Sequence, residues 1–398
     1  MELAIRAGRL ITPDEELNDI LVLTEHGKIQ SVEPFSERRA AQAETFVDAR
    51  DEIVAPGFVD LQVNGGLGHN FKRADLAERH RIYRFFLRTG TTTLVPTVVT
   101  DVPTLMAGAL SMLADDVGGT QSDLPEIAGV HLEGPFLNPD RRGAHPLEYL
   151  RSADLDLARY FWEAAREQIA IVTLAPELEG ADRLVRWFAE RGVVVAAGHT
   201  TASCDVLFHA CDEGLTLLTH LGNVSDWPHR RKSEAGILAS EPGAVGAFMI
   251  SDRLRASLIL DSYHFDPRLA AALVRLRGPQ GVALISDASY ATGCLPGKYD
   301  DGLIKTTVHP DGYAYVTGGG GWLAGSVITL EQAIRVAVGA GGIALREAIE
   351  MATWTPARIL GIDNRKGRVA AGFEADLVFL NRLLRVTRVF RSGREVPL

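Results

Sequence analysis

A chain of 398 residues with 46% hydrophobic content can bury a large core and hold more than one structural unit. Its formal charge of −10 argues against a general nucleic-acid or anionic-membrane surface, while leaving room for a locally positive pocket that takes a phosphate. No apolar run reaches membrane-spanning length, and Met1-Glu-Leu-Ala-Ile-Arg6 lacks the basic-then-apolar pattern of a signal peptide. The cysteines, Cys204, Cys211 and Cys294, are sparse and form no CxxC pair, so a reducing cytoplasm is the expected compartment.

The chain opens on β-formers at Leu3–Ile5, Ile20–Thr24 and Lys28–Val32. Apolar runs then alternate with amphipathic stretches. The runs are Ile53–Val63, Thr92–Thr97, Ile127–Glu133, Ala170–Ala175, Val193–His199, Leu215–His220, Ala256–Asp261 and Val282–Asp287. The clearest helices between them are Arg81–Thr89, Leu155–Glu167, Ala181–Arg191 and Pro267–Leu276. This alternation predicts an α/β fold, a (β/α)8 TIM-like barrel over residues 53–364, with an open doubly wound sheet as the alternative. Residues 1–52 and 365–398 are both strand-like, with turn glycines at Gly367, Gly372 and Gly393. They predict a small β-sandwich domain assembled from both termini. Val308–Val316 predicts a hairpin turning at Asp311-Gly312. Gly318–Gly325 lacks the Lys-Ser/Thr of a phosphate-binding loop and predicts a mobile loop at the rim.

The polar residues that end these runs carry the chemistry. Val193–His199 and Leu215–His220 flank a helix-length segment, Thr201–Gly214, and such a crossover makes the two strands parallel. Neighbouring strands lie about 4.8 Å apart, so both imidazoles emerge together at the C-terminal edge, where barrels of this kind build their sites. Glu133 ends the third run. One carboxylate with two imidazoles is a three-ligand set that leaves a coordination position open. Such a site activates water and polarises a carbonyl oxygen. Asp287, ending the eighth run, is the natural proton shuttle between attacking water and departing amine, although an aspartate after a strand also serves as a helix N-cap. The first run adds Asp60, Gln62 and Asn64. His131, two residues before Glu133 on the same strand face, could be a further ligand but reads first as a satisfied core histidine; His209 reads as structural or exposed, and Cys204 and Cys211 as buried packing residues.

These residues sit in a recognisable set of motifs: Ala55-Pro-Gly-Phe-Val-Asp60 followed by Asn64-Gly65, His131-Leu-Glu-Gly-Pro-Phe-Leu-Asn138, Thr173-Leu-Ala-Pro-Glu177, Ala197-Gly-His-Thr200, Thr219-His-Leu-Gly-Asn223 and Ser286-Asp-Ala288. Ala352–Arg358 and Gly367–Leu377 complete the set. Over nearly its whole length the sequence resembles the N-acetylglucosamine-6-phosphate deacetylases of the amidohydrolase superfamily. The resemblance implies metal binding by Glu133, His199 and His220, with Asp287 as general acid/base and His145 polarising the acetyl carbonyl. It further implies that Asn223, with Val224 beside it, and His264 hold the sugar phosphate, and that the enzyme is a homodimer. Gln62 and Asn64 stand where many amidohydrolases have His-x-His. Amides are poor zinc ligands, so one divalent ion is expected: zinc first, with iron(II), cobalt or manganese as alternatives.

One departure bears on the substrate. The family places an arginine just before a Glu-Pro-Gly, reaching a neighbouring subunit's substrate phosphate; here Ser240 precedes Glu241-Pro-Gly243. The preceding loop carries Trp227-Pro-His-Arg-Arg-Lys232, so Arg230, Arg231 or Lys232 could replace that cation, the alternative being an ordinary solvated loop. The expected activity is removal of acetate from an N-acetylated hexosamine, as its 6-phosphate. An unphosphorylated or differently N-acylated amino sugar or amino acid is the second reading, and a non-catalytic barrel acting as a binding module a third. Against the third, an unused polar cluster of this size is costly to keep satisfied at a barrel mouth.

Overall fold

The structure, a computed structural model, describes every residue except 120, 226–227 and 233–237, and the backbone alone at 228–232 and 238–239. Eight parallel strands form the barrel: β1 Phe58–Val63, β2 Thr91–Val99, β3 Val130–Glu133, β4 Ile169–Leu174, β5 Val194–Ala197, β6 Leu215–Leu218, β7 Arg255–Ile259 and β8 Val282–Ile285. They are hydrogen-bonded in strict sequence order, each to the next. A doubly wound sheet would reverse its strand order at a switch point, and this one never does. Closure comes from a parallel bridge between Val63 and Ala288, with Asn64 N–H donating to the Ala288 carbonyl at 2.8 Å.

Alternation along each strand divides the apolar residues into two cores. Val59, Leu61, Val95, Ile171, Ala196, Leu217, Ile259 and Ile285 fill the barrel, closed at its N-terminal end by Ala357 and Ile359. The larger core lies between strands and helices, where residues such as Phe86, Leu110, Phe161, Phe188 and Phe248 are fully buried. The expected helices are present, at Leu76–Arg88, Leu155–Ala164, Ala181–Ala189 and Pro267–Arg277, and the segment between the two histidine runs is helical over Cys204–Asp212. Leu76–Arg88 opens on a complete capping box between Asp75 and Glu78.

Both termini do join in one small β domain, and its strands form a single continuous sheet of seven. Leu3–Ile11 pairs in parallel with Thr45–Pro56, and Leu377–Leu380 pairs antiparallel with the end of that same strand. Thr45–Pro56 thus carries the chain from the terminal sheet straight into β1. The hairpin expected at Val308–Val316 is present, with Val308 opposite Ala314 and Gly312 at φ 87° in the turn. A third strand, Gly297–Asp300, joins it. Among the described residues, no helix is long and apolar enough to cross a membrane.

Candidate active site

The C-terminal ends of the barrel strands open into a cavity of about 330 Å3. Glu133, His145, His199, His220, Asn223, Val224, His264 and Asp287 all line it. The structure therefore gathers every candidate site residue whose side chain it describes. Arg230 and Arg231 lie outside the described side chains. Their backbone belongs to a strand, Pro228–Lys232, that pairs antiparallel with Leu238–Pro242, and Arg230 is the partner of Ser240.

Glu133 is at the centre. Its Oε1 lies 3.1 Å from His220 Nε2 and 3.3 Å from His199 Nε2, and all three side chains are buried. Burial alone would raise the Glu133 carboxyl, but the two imidazoles hold it well below the ordinary carboxylate range. His220 is raised despite its burial, because Glu133 faces it. His199 places Nδ1 2.9 Å from the Arg141 carbonyl, which fixes Nδ1 as the donor. In the neutral ring, Nε2 then presents a lone pair to a carboxylate oxygen. Two acceptors at that distance repel unless a proton or a cation lies between them, so this donor set fits a divalent metal ion. The His145 ring is also close: donor atoms of Glu133, His145 and His199 lie within 4.8 Å of one another. On distance alone His145 is a rival to His220 as third ligand. Counting all four groups would leave a tetrahedral ion no open position.

Asp287 lies across from Glu133. Burial, and next the Glu133 charge, push its carboxyl up to about 6. Asn64 Nδ2 donates to Asp287 Oδ1 at 2.7 Å, so Asn64 is engaged with the proton-transfer candidate. Asp60 is fully buried beneath, its Oδ1 accepting from the backbone N–H of Gln62 and Ser286 and thereby tying β1 to β8. Burial pushes His145 down to about 3, so its ring is neutral at physiological pH. His264 is oriented by Asp261, whose Oδ2 is 2.7 Å from Nδ1.

Of the residues read as structural, His131 is buried with Nε2 2.8 Å from Thr173 Oγ1 but with Nδ1 lacking a hydrogen-bond partner, so it is only half satisfied; His209 is exposed, and Cys204 and Cys211 are buried. Sequence reasoning missed two groups. Glu177 accepts from Asn138 Nδ2 and Thr201 N–H, both at 2.7 Å, and so fixes the loop that carries His199. Lys72 lines the cavity although its own loop shows no periodic pattern. From the glycine-rich rim segment, Gly321, Trp322, Leu323, Ala324 and Gly325 form part of the wall.

Comparison with known proteins agrees with this geometry. Residues 299–396 match the model of the Amidohydrolase family. The N-acetylglucosamine-6-phosphate deacetylase of Danio rerio is 31% identical, over 99% of this chain and 92% of its own length. The N-acetylgalactosamine-6-phosphate deacetylase of Escherichia coli O157:H7 is also 31% identical, over 98% of each chain. A solved structure of a mutant N-acetyl-D-glucosamine-6-phosphate deacetylase from Mycobacterium smegmatis, in complex with N-acetyl-D-glucosamine-6-phosphate, superposes with a TM-score of 0.88 at 33% identity, covering 99% of both chains. With fold, site and near full-length similarity in agreement, the chain belongs to the N-acetylglucosamine-6-phosphate deacetylase family of amidohydrolases.

Proposed function

We propose that the protein is a metal-dependent deacetylase that hydrolyses the N-acetyl group of an amino sugar, N-acetylglucosamine 6-phosphate, to glucosamine 6-phosphate and acetate. The observation that carries this reading is the convergence of Glu133, His199, His220 and Asp287 in one buried cavity. Glu133, His199 and His220 would hold one divalent ion, zinc by its preference for nitrogen and carboxylate ligands. Such an ion supplies Lewis acidity, polarising the acyl carbonyl and lowering the pKa of water.

This chain's own residues supply the rest. Asp287 takes a proton from the attacking water and delivers it to the departing amine as the C–N bond breaks. His145, neutral and next to His199 with ring centroids 4.5 Å apart, donates a hydrogen bond to the acyl oxygen as charge develops there. Asn64 holds the Asp287 carboxylate in place. Asn223, Val224 and His264, from the loops after β6 and β7, hold the sugar phosphate. Arg230 or Arg231 provides the cation missing at Ser240. The three cysteines are free, which suits a cytoplasmic protein. A homodimer is proposed on the family's pattern of phosphate binding across subunits.

The second reading, an unphosphorylated or otherwise altered amino sugar, is motivated by Ser240. The test is acetate release from N-acetylglucosamine and from its 6-phosphate after zinc loading, with Asp287→Asn as control and the galactosamine epimer alongside. Strong preference for the phosphorylated glucosamine compound is expected. Preference for the free sugar shifts the reading to the second, and turnover of no N-acyl amine by metal-loaded protein overturns the enzymatic reading.

A further inference from the structure

Asp287 needs a fixed carboxyl, yet its own stretch of chain supplies no regular structure. The next element after β8 is the strand Gly297–Asp300, and between the two Asp287 has a φ of 45°. A residue other than glycine keeps that conformation only where its surroundings impose it. One side of the support comes from β1, through Asn64 and through the bridge between Ala288 and Val63. The other side comes from Ser326, one residue beyond the glycine-rich rim segment. Ser326 is fully buried and forms a parallel bridge with Ala288. Its backbone N–H donates to the Asp287 carbonyl and its carbonyl accepts from the Ser289 N–H, both at 2.9 Å. Its Oγ donates to the Ser286 carbonyl and accepts from the Ile328 N–H at 3.2 Å. The chain is thus gripped just before Asp287, at Asp287 itself and just after it. Gly325 permits this approach: its φ is 59°, and a Cβ there would meet the Asp287 carbonyl oxygen at 2.9 Å.

The same segment builds a wall of the cavity. Trp322, Leu323 and Ala324 line it and lie alongside the hairpin strand Ala314–Val316. The Val316 N–H donates to the Trp322 carbonyl at 2.9 Å, and the Ala324 N–H to the Ala314 carbonyl at 3.1 Å. We propose that Ser326 is a positioning residue for the acid/base step: with Gly325 it ties this wall to the Asp287 backbone and so sets where the Asp287 carboxyl stands relative to the amide nitrogen. This rests on the deacetylase reading, in which Asp287 carries the proton. Ser326 is not among the residues lining the cavity, and its bonds to the Asp287 segment all go to backbone groups. Its effect on the reaction therefore passes through Asp287. Misplacing a reacting group by about 1 Å costs about a hundredfold in rate, so a brace of this kind has a measurable consequence.

The test is a double-mutant cycle with zinc-loaded protein and N-acetylglucosamine 6-phosphate. Ser326→Ala removes both hydroxyl bonds, and Gly325→Ala presses on the Asp287 carbonyl from the same side. Each is expected to lower kcat by about tenfold to a hundredfold, with KM within about twofold of wild type and zinc content unchanged. In an Asp287→Asn background the same substitutions should cost nothing further, because the group they position no longer carries a proton. A merely structural role predicts the same factor in both backgrounds, and that result overturns the proposal. So do a loss confined to KM, wild-type kinetics in both variants, or loss of zinc or of the folding transition in both. Absence of turnover by the wild-type protein instead overturns the deacetylase reading, so the two failures are distinguishable.

Discussion

His199, His220 and Asp287 end three different barrel strands, and all three have a left-handed backbone, with φ of 51°, 32° and 45°. That conformation is uncommon outside glycine and collects where function over-determines the backbone. Here it turns each side chain from the end of its strand into the cavity. Asp287 faces Glu133 without being one of the groups proposed to hold the metal, which gives a clean separation of roles. Asp287→Asn should lower kcat by about 10²–10⁴-fold, the usual contribution of a positioned acid/base group, while elemental analysis finds the same metal content as in wild type. Loss of metal together with activity would move Asp287 among the ligands. These residues were legible because each terminates an apolar β-run, and a polar residue there has only the barrel mouth to occupy. Lys72 was not legible, since its loop has no period and its partner Asp101 follows the next strand. Nor was Glu177, whose role depends on Asn138 and Thr201 arriving from two other loops.

The β-elements were readable from alternation and from the crossovers they imply, whereas register and close approach emerged only in three dimensions. Gly198, just before His199, shows the difference. A Cβ there would meet Thr173 Cγ2 at 2.8 Å and Thr219 Cβ at 3.1 Å. Those threonines are hydrogen-bonded to each other at 2.7 Å, and Thr173 also holds His131, so neither yields easily. Gly198→Ala is therefore expected to cost about 1–3 kcal/mol of stability through overpacking. It should also weaken metal binding by displacing His199; thermal melts and a zinc titration measure both, and wild-type zinc affinity would refute the displacement. The Pro228–Lys232 strand supplies a second case. The sequence left Arg230, Arg231 and Lys232 equivalent as replacements for the missing cation. Register pairs Arg230 with Ser240 and Arg231 with Ala239. Arg230→Ala should raise KM for the 6-phosphate substrate about tenfold or more with little change for the free sugar, and Arg231→Ala should have the smaller effect. Equal KM values in wild type and both variants would return this segment to an ordinary solvated loop.

At the scale of the whole molecule, the terminal sheet is fastened to the barrel away from the catalytic rim, by a buried cluster of charges. Glu126 lies on a short strand beside β2, whereas Asp376 and Arg391 belong to the C-terminal part of the chain. Lys366 Nζ is 3.1 Å from Glu126 and 2.6 Å from Glu374, Arg365 pairs with Glu126, and Arg391 lies 3.0 Å from Asp376. Burial alone would raise the Glu126 carboxyl, but Arg365 and Lys366 bring it down to about 2 from an ordinary 4.5. Because the folded value lies below the unfolded one, this group stabilises the fold fully above about pH 4.5, and the contribution disappears as pH falls towards 2. Its upper bound is about 3 kcal/mol at neutral pH. Glu126→Gln should therefore destabilise the protein at pH 7, all the more because Arg365 and Lys366 lose a buried partner. Near pH 3 the gap should narrow, because Glu126 is by then protonated in the unfolded wild-type chain, which removes much of its contribution although the folded carboxylate is still mostly ionised. Thermal melts of both proteins across that range decide the matter. A gap of constant size from pH 7 to pH 3 would mean that Glu126 holds the two units together by shape and hydrogen bonding rather than by charge.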